Sequence, residues 1–173
     1  MLTLSIISAA ILWGFIALSV GKFGIPSSFS ETYYLWQEPS EGYSGSLRVE
    51  GSGLFCIISG IAGGLLVPVM IERGAGDIAQ CLGFFCPAFL IMVAALPDFR
   101  GGQKVAHSLA AVISALGAIS WELLICRVWW PLAASAALVA VLSILTKTTR
   151  KSAVFWAEMA AFASVYLILL CRL

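Results

Sequence analysis

The sequence predicts an all-α integral membrane bundle of about six transmembrane helices, and three observations predict it. Of the 173 residues, 61% are hydrophobic and only 11% are charged, against roughly 25% charged in soluble domains. The mean hydropathy is +1.00, more apolar surface than a water-soluble fold of this size could hide. Several apolar runs come close to the ~20 residues that cross a hydrocarbon core, and no polar stretch is long enough for a second domain. Residues 1–173 therefore read as a single transmembrane domain, interrupted by one long polar segment over 21–53.

Segment one runs from Leu2 to Val20 and closes at Gly21 and Lys22. Met1 to Ser5 contains no basic side chain, unlike a secretory signal, so this segment is expected to be a retained first helix with Trp13 as a packing residue. The polar connection that follows has two characters. Gly24 to Trp36 brings together Pro26, the hydroxyls of Ser27, Ser28, Ser30 and Thr32, the carboxylate of Glu31, and Tyr33, Tyr34 and Trp36. A proline followed by serines marks a helix start, with Ser28 or Ser30 as N-cap and Glu31 in the first turn. The aromatic residues suit the membrane interface. Residues 37–53 are dense in Gly, Ser, Pro and charge, which predicts a flexible loop or a short hairpin.

Segment two, Leu54 to Ile71, places Gly60 and Gly64 on one helix face, suited to close packing within the chain or in a homo-oligomer. Pro68 is expected to kink its end. After the turn at 72–77, segment three runs from Ile78 to Leu96 with Pro87 in its first half and leaves through a polar cluster around Asp98 and Arg100. Segment four, Val105 to Cys126, opens with His107 and ends near Trp121, Glu122 and Arg127. Segment five, Trp129 to Thr146, begins with a tryptophan pair and Pro131, both suited to a helix start at the interface. Segment six, Ala153 to Leu170, follows the basic turn of Lys147, Arg150 and Lys151. Gly-rich segment two has no counterpart in segment five, so no transporter-type repeat is visible.

Six crossings put Lys22, Arg48, Arg100, Lys104, Lys147, Arg150 and Lys151 on one face and Arg73, Arg127 and Arg172 on the other. The basic excess predicts that the first face is cytoplasmic and that both termini are extracytoplasmic, in a multi-pass protein of the cell membrane. The same arrangement gathers the Gly24–Trp36 stretch, Asp98 and His107 at one end of the bundle.

The net charge of +1 recommends no nucleic-acid partner. Cys56, Cys81, Cys86, Cys126 and Cys171 lie in or beside apolar runs without close pairing and read as packing residues. Membrane lipid is the expected partner, and no metal or cofactor is expected.

Ionisable residues at membrane depth point to functional sites, and His107, Glu122 and Glu158 qualify. His107, Ser114, Ala118 and Glu122 fall within about 60° of one line on segment four, a polar stripe roughly 22 Å long. His107 suits a proton carrier, a general base, or a helix-start histidine bonded to the preceding loop, with Asp98 placed to orient its ring. Glu122 is expected to snorkel or to pair with Arg127. Glu158 is expected to pair with Lys147, Arg150 or Lys151. No continuous polar stripe accompanies Glu158, which argues against a through-going proton wire.

The run Ile25-Pro26-Ser27-Ser28-Phe29-Ser30-Glu31-Thr32-Tyr33-Tyr34, together with Pro97-Asp98-Phe99 and Lys104-Val105-Ala106-His107, resembles a group of small, uncharacterised multi-pass membrane proteins of bacteria and phages. Those proteins carry an Ile-Pro-x-Ser-x-Ser-x-Thr-Tyr-Tyr stretch after the first helix and a lone histidine at the start of a later one. The resemblance covers about a quarter of the chain and implies that these residues form one site, without implying an activity. Seven-helix membrane hydrolases of the ceramidase type offer a weaker comparison, because they hold zinc with several histidines and this chain has one.

Three functions are open on this basis. Ser28, Ser30, Glu31, Tyr33, Tyr34, Asp98 and His107 could bind a small polar molecule, an ion or a lipid head group, leading to transport or sensing. The chain could instead be a structural or accessory membrane subunit. It could also be a hydrolase or transferase acting on lipid through His107 and Asp98.

Overall fold

The long helices are apolar on all sides, as helices facing lipid are, and the architecture is set by the part of each surface that is buried against its neighbours. Leu12, Phe15 and Ile16 near the N-terminus, Phe55, Leu66 and Met70 in the middle, and Met159, Ile168 and Leu169 near the C-terminus are all buried. The computed structural model describes residues 1–36, 51–74, 76–97, 100–126, 129–146 and 150–171, with backbone alone at 51, 52, 125, 126 and 150. The helices are α1 (Leu2–Phe23), α2 (Thr32–Leu35), α3 (Gly51–Arg73), α4 (Asp77–Ala95), α5 (Lys104–Cys126), α6 (Trp130–Leu145) and α7 (Ala153–Cys171). A 3-10 turn over Phe29–Glu31 precedes α2, and another over Arg150–Ser152 precedes α7. No strand occurs among the described residues.

The fold is an all-α bundle, and five of its helices are long and apolar enough to cross a membrane. α1 packs on α3, α3 on α4, α4 on α5, α5 on α7, and α7 back on α1, which closes a ring. α6 lies outside the ring against α7. It has 16 residues, about 24 Å at 1.5 Å per residue, shorter than the other five. Its path nevertheless runs from one end of the bundle to the other. Both α5 and α7 begin at the end where Ser27 and Ser30 lie, since His107 contacts Ser30 and the Phe155 N–H bonds to the Ser27 carbonyl. They are therefore parallel, and the chain between them has to travel the full thickness of the bundle.

The helix ends differ from the sequence expectation in two places. Gly21 and Lys22 stay helical, and α1 stops only at Phe23, where Gly24 takes a φ of 79°, a conformation that favours glycine. Gly51 to Gly53 belong to α3, not to the preceding loop. The rest of the expected hairpin, residues 37–50, lies outside the described residues.

Close helix approach uses other glycines than expected. A Cβ on Gly60 or Gly64 would meet nothing within 4 Å among the described residues, so these two mark no close helix approach there. A Cβ on Gly83 would lie 2.6 Å from the Met70 carbonyl oxygen, and one on Gly63 would lie 2.9 Å from Ile91 and 3.3 Å from the Pro87 carbonyl oxygen. These two hold α3 and α4 together. The bundle interior also contains hydroxyls: Ser8 donates to the Ala62 carbonyl at 2.9 Å and lies 2.7 Å from the Tyr166 hydroxyl. Satisfying these groups on neighbouring helices avoids the cost of an unpaired polar atom in an apolar interior. Among the described cysteines only Cys86 is fully buried, while Cys81 and Cys171 are exposed, so the expectation of packing cysteines fails for those two.

Candidate functional site

Gly24 to Trp36 folds back onto one end of the ring. Phe29 is its plug: 2% exposed, its ring lies 6.2 Å from Phe15 of α1, 5.2 Å from Phe55 of α3 and 5.5 Å from Phe162 of α7, measured between centroids. Trp36 is half-buried, stacks on Phe15 and donates from its indole nitrogen to Ser19 at 2.9 Å, so it packs on α1. Tyr33 packs on Phe55.

A short helix start leaves backbone N–H groups without partners, and side chains satisfy them here. Ser28 is the N-cap, with its hydroxyl accepting from the Glu31 N–H at 3.2 Å. The Glu31 carboxylate reaches back to the Ser27 N–H at 2.8 Å and to the Ser27 hydroxyl. This is a capping box displaced by one residue. The Phe29 N–H donates to Glu158 of α7 at 2.6 Å. Glu158 thus binds backbone; of its expected basic partners, Lys147 and the Arg150 side chain lie outside the described residues, and Lys151 has no described ion pair.

His107 is buried, with Nδ1 2.7 Å from the Leu96 carbonyl and Nε2 3.0 Å from the Ser30 hydroxyl. The pairing with Leu96 fixes the tautomer with hydrogen on Nδ1, so Nε2 accepts from Ser30. The imidazole therefore ties the end of α4 and the start of α5 to the folded-back stretch. Arg100 makes the outer tie. Its guanidinium contacts Glu31 at 2.5 Å and lies 4.3 Å from the Tyr34 ring, and its N–H donates to the Tyr34 hydroxyl at 2.9 Å. Burial opposes ionisation of Glu31, yet the Ser27 hydroxyl and amide and the Arg100 guanidinium outweigh it and hold the carboxyl below its usual range.

Ser30 and His107 thus form one contact pair, Glu31 and Tyr34 are joined through Arg100, Ser28 caps the turn at Glu31, and the Tyr33 ring packs on Tyr34. Asp98 lies outside the described residues. Of the other intramembrane residues, Glu158 bonds to this stretch at Phe29, whereas Ser114 and Glu122 bond elsewhere. Ser114 donates to the Cys86 carbonyl at 2.9 Å. Glu122 is 3% exposed, so it does not snorkel; one carboxylate oxygen accepts from Ser164 at 2.5 Å and the other has no partner among the described residues. Arg127 is not among the described residues. The polar stripe of α5 does face inward, but its members bond to different neighbours and form no continuous chain.

Beside Glu31 an open groove of about 330 Å³ runs along the end of the bundle. Its polar wall is Ser27, Glu31, Lys151 and Ser152, and its apolar wall is Phe23, Ile25, Pro26 and Leu35. Phe29, Arg100, Lys151, Ser152 and Ser164 were missed as site residues in the sequence. Arg100 and Lys151 had a readable signal, since the topology already placed both basic residues at this end. Comparison of the chain with protein families, with curated proteins and with solved structures returns no match in any of the three.

Proposed function

We propose that this multi-pass membrane protein binds the polar part of a small molecule or lipid at one end of its helix bundle, in the groove beside Glu31. The observation that carries the reading is the composition of that groove: a carboxylate, an ammonium and two hydroxyls face an apolar wall in a volume within the range of small-molecule sites. Ser30 and His107 serve it as supports that hold the segment carrying Glu31, because their polar atoms are engaged with each other and with Leu96. The scattered partners of Ser114, Glu122 and Ser164 favour binding or sensing at one face over a polar route through the bundle. The basic excess on this face supports a cytoplasmic location for the groove and extracytoplasmic termini in the cell membrane.

Native mass spectrometry of the detergent-purified protein tests the reading. Retained phospholipid or polar small molecule is expected on the wild type and reduced on a Glu31→Gln, Lys151→Met double variant. A wild type free of bound molecules under gentle detergents, or an unchanged adduct in the double variant, contradicts it. A second reading, an accessory membrane subunit, is favoured by the open Gly60 and Gly64 positions on α3, a face free for a homo-oligomer or another helix.

A further inference from the structure

We propose that the groove selects a zwitterionic phospholipid head group carrying a primary amine, of the phosphoethanolamine type. This inference rests on the binding function proposed above and names its ligand class. Lys151 is exposed and its three donors have no acceptor among the described residues, so the ammonium is available to a phosphate oxygen. The Ser27 and Ser152 hydroxyls line the same wall. Glu31 adds an acceptor. A carboxylate has about four lone-pair positions, and the Ser27 N–H, the Ser27 hydroxyl and the Arg100 guanidinium occupy three. The fourth is left for one N–H donor.

Both charges of the ligand then have a counterpart. A phosphate alone would satisfy Lys151 and leave the Glu31 position unused, and a phosphodiester with a neutral alcohol, as in phosphatidylglycerol, would offer Glu31 only a hydroxyl in place of a charged ammonium. A quaternary choline ammonium has no N–H to donate. The apolar lining of Phe23, Ile25 and Leu35 suits the glycerol backbone. The groove sits where α1 ends and α7 begins, the depth at which head groups lie if these helices span the bilayer.

The test measures binding of dioleoyl phosphatidylethanolamine, phosphatidylcholine and phosphatidylglycerol to the full chain in detergent, by native mass spectrometry and by thermal stabilisation. Phosphatidylethanolamine is expected to bind about tenfold more tightly than phosphatidylcholine, the worth of one charge-assisted hydrogen bond. Glu31→Gln is expected to remove that preference while both lipids still bind, and Lys151→Met, at an exposed residue without structural partners, to weaken both. Equal binding of the three lipids, a preference for phosphatidylglycerol, or a preference that survives Glu31→Gln overturns the inference and leaves the binding function standing. Failure of every phospholipid to bind the wild type, while another small polar molecule binds in the groove, also overturns it. Failure of lipids and polar molecules alike overturns both.

Discussion

Glu158 shows how a single carboxylate can hold an element that carries few contacts of its own. Its bond to the Phe29 N–H ties α7 to the folded-back stretch across 129 residues of sequence. Replacing Glu158 by Leu leaves that N–H unpaired in an apolar setting and is expected to cost about 1–3 kcal/mol of stability. Glu158→Gln keeps an acceptor oxygen and is expected to cost less, both read by denaturation in detergent micelles. Equal losses for the two variants would mean that the hydrogen bond is not what matters. Glu31 makes a second prediction. Its folded-state carboxyl titrates below the ordinary glutamate value, so its stabilising contribution is present above that value and fades as the pH falls through the lower, folded value. The protection factors of the Ser27 and Glu31 amides, that is, exchange relative to the intrinsic rate at each pH, should therefore fall on acidification below about pH 4.3, the ordinary glutamate value, and Glu31→Gln should flatten this dependence. The Ser28 cap was readable from local spacing, because a capping box spans a few residues. The partner of Glu158 was not, since sequence reasoning looked for a basic side chain and the fold supplied a backbone donor.

At the scale of elements, α3 separates two kinds of glycine. Gly83→Ala forces the α4 backbone away from Met70 and is expected to destabilise the bundle by about 1–3 kcal/mol. Gly60→Ala and Gly64→Ala meet open space and should gain up to about 1 kcal/mol each from helix propensity. Thermal unfolding of the three variants checks the order, and a loss at Gly60 as large as at Gly83 would place an unseen neighbour on that face. Helical spacing showed that Gly60 and Gly64 share a face. It could not show which neighbour that face meets, and Gly63, between them in sequence, is the residue in contact with α4. The hydroxyls of α1 were readable in principle: Ser5, Ser8, Ser19 and the apolar Leu12 and Phe15 recur at helical spacing and are all buried. The end of α1 was misplaced because Gly21 reads as a stop, while the chain reverses only at Gly24, where a positive φ is needed.

At the scale of the whole molecule, composition and run length made the membrane bundle legible, and chain order brought the Gly24–Trp36 stretch to the same end as His107. The ring closure of α7 on α1 and the peripheral place of α6 were not legible, since apolar runs of similar composition do not encode their neighbours. Orientation has its own test. In a variant whose native cysteines are replaced, Ser46→Cys should resist an impermeant maleimide in intact cells and react after permeabilisation. Ready labelling from outside would invert the orientation. The folded-back stretch and its groove are the centre of the account, and a high-resolution cryo-electron microscopy map of the protein in phosphatidylethanolamine-containing nanodiscs tests them most directly. The expected map shows Phe29 seated between α1, α3 and α7, with phosphate density at Lys151 and amine density at Glu31. A map with Phe29 withdrawn from Glu158, or with the groove holding no head group, would contradict it.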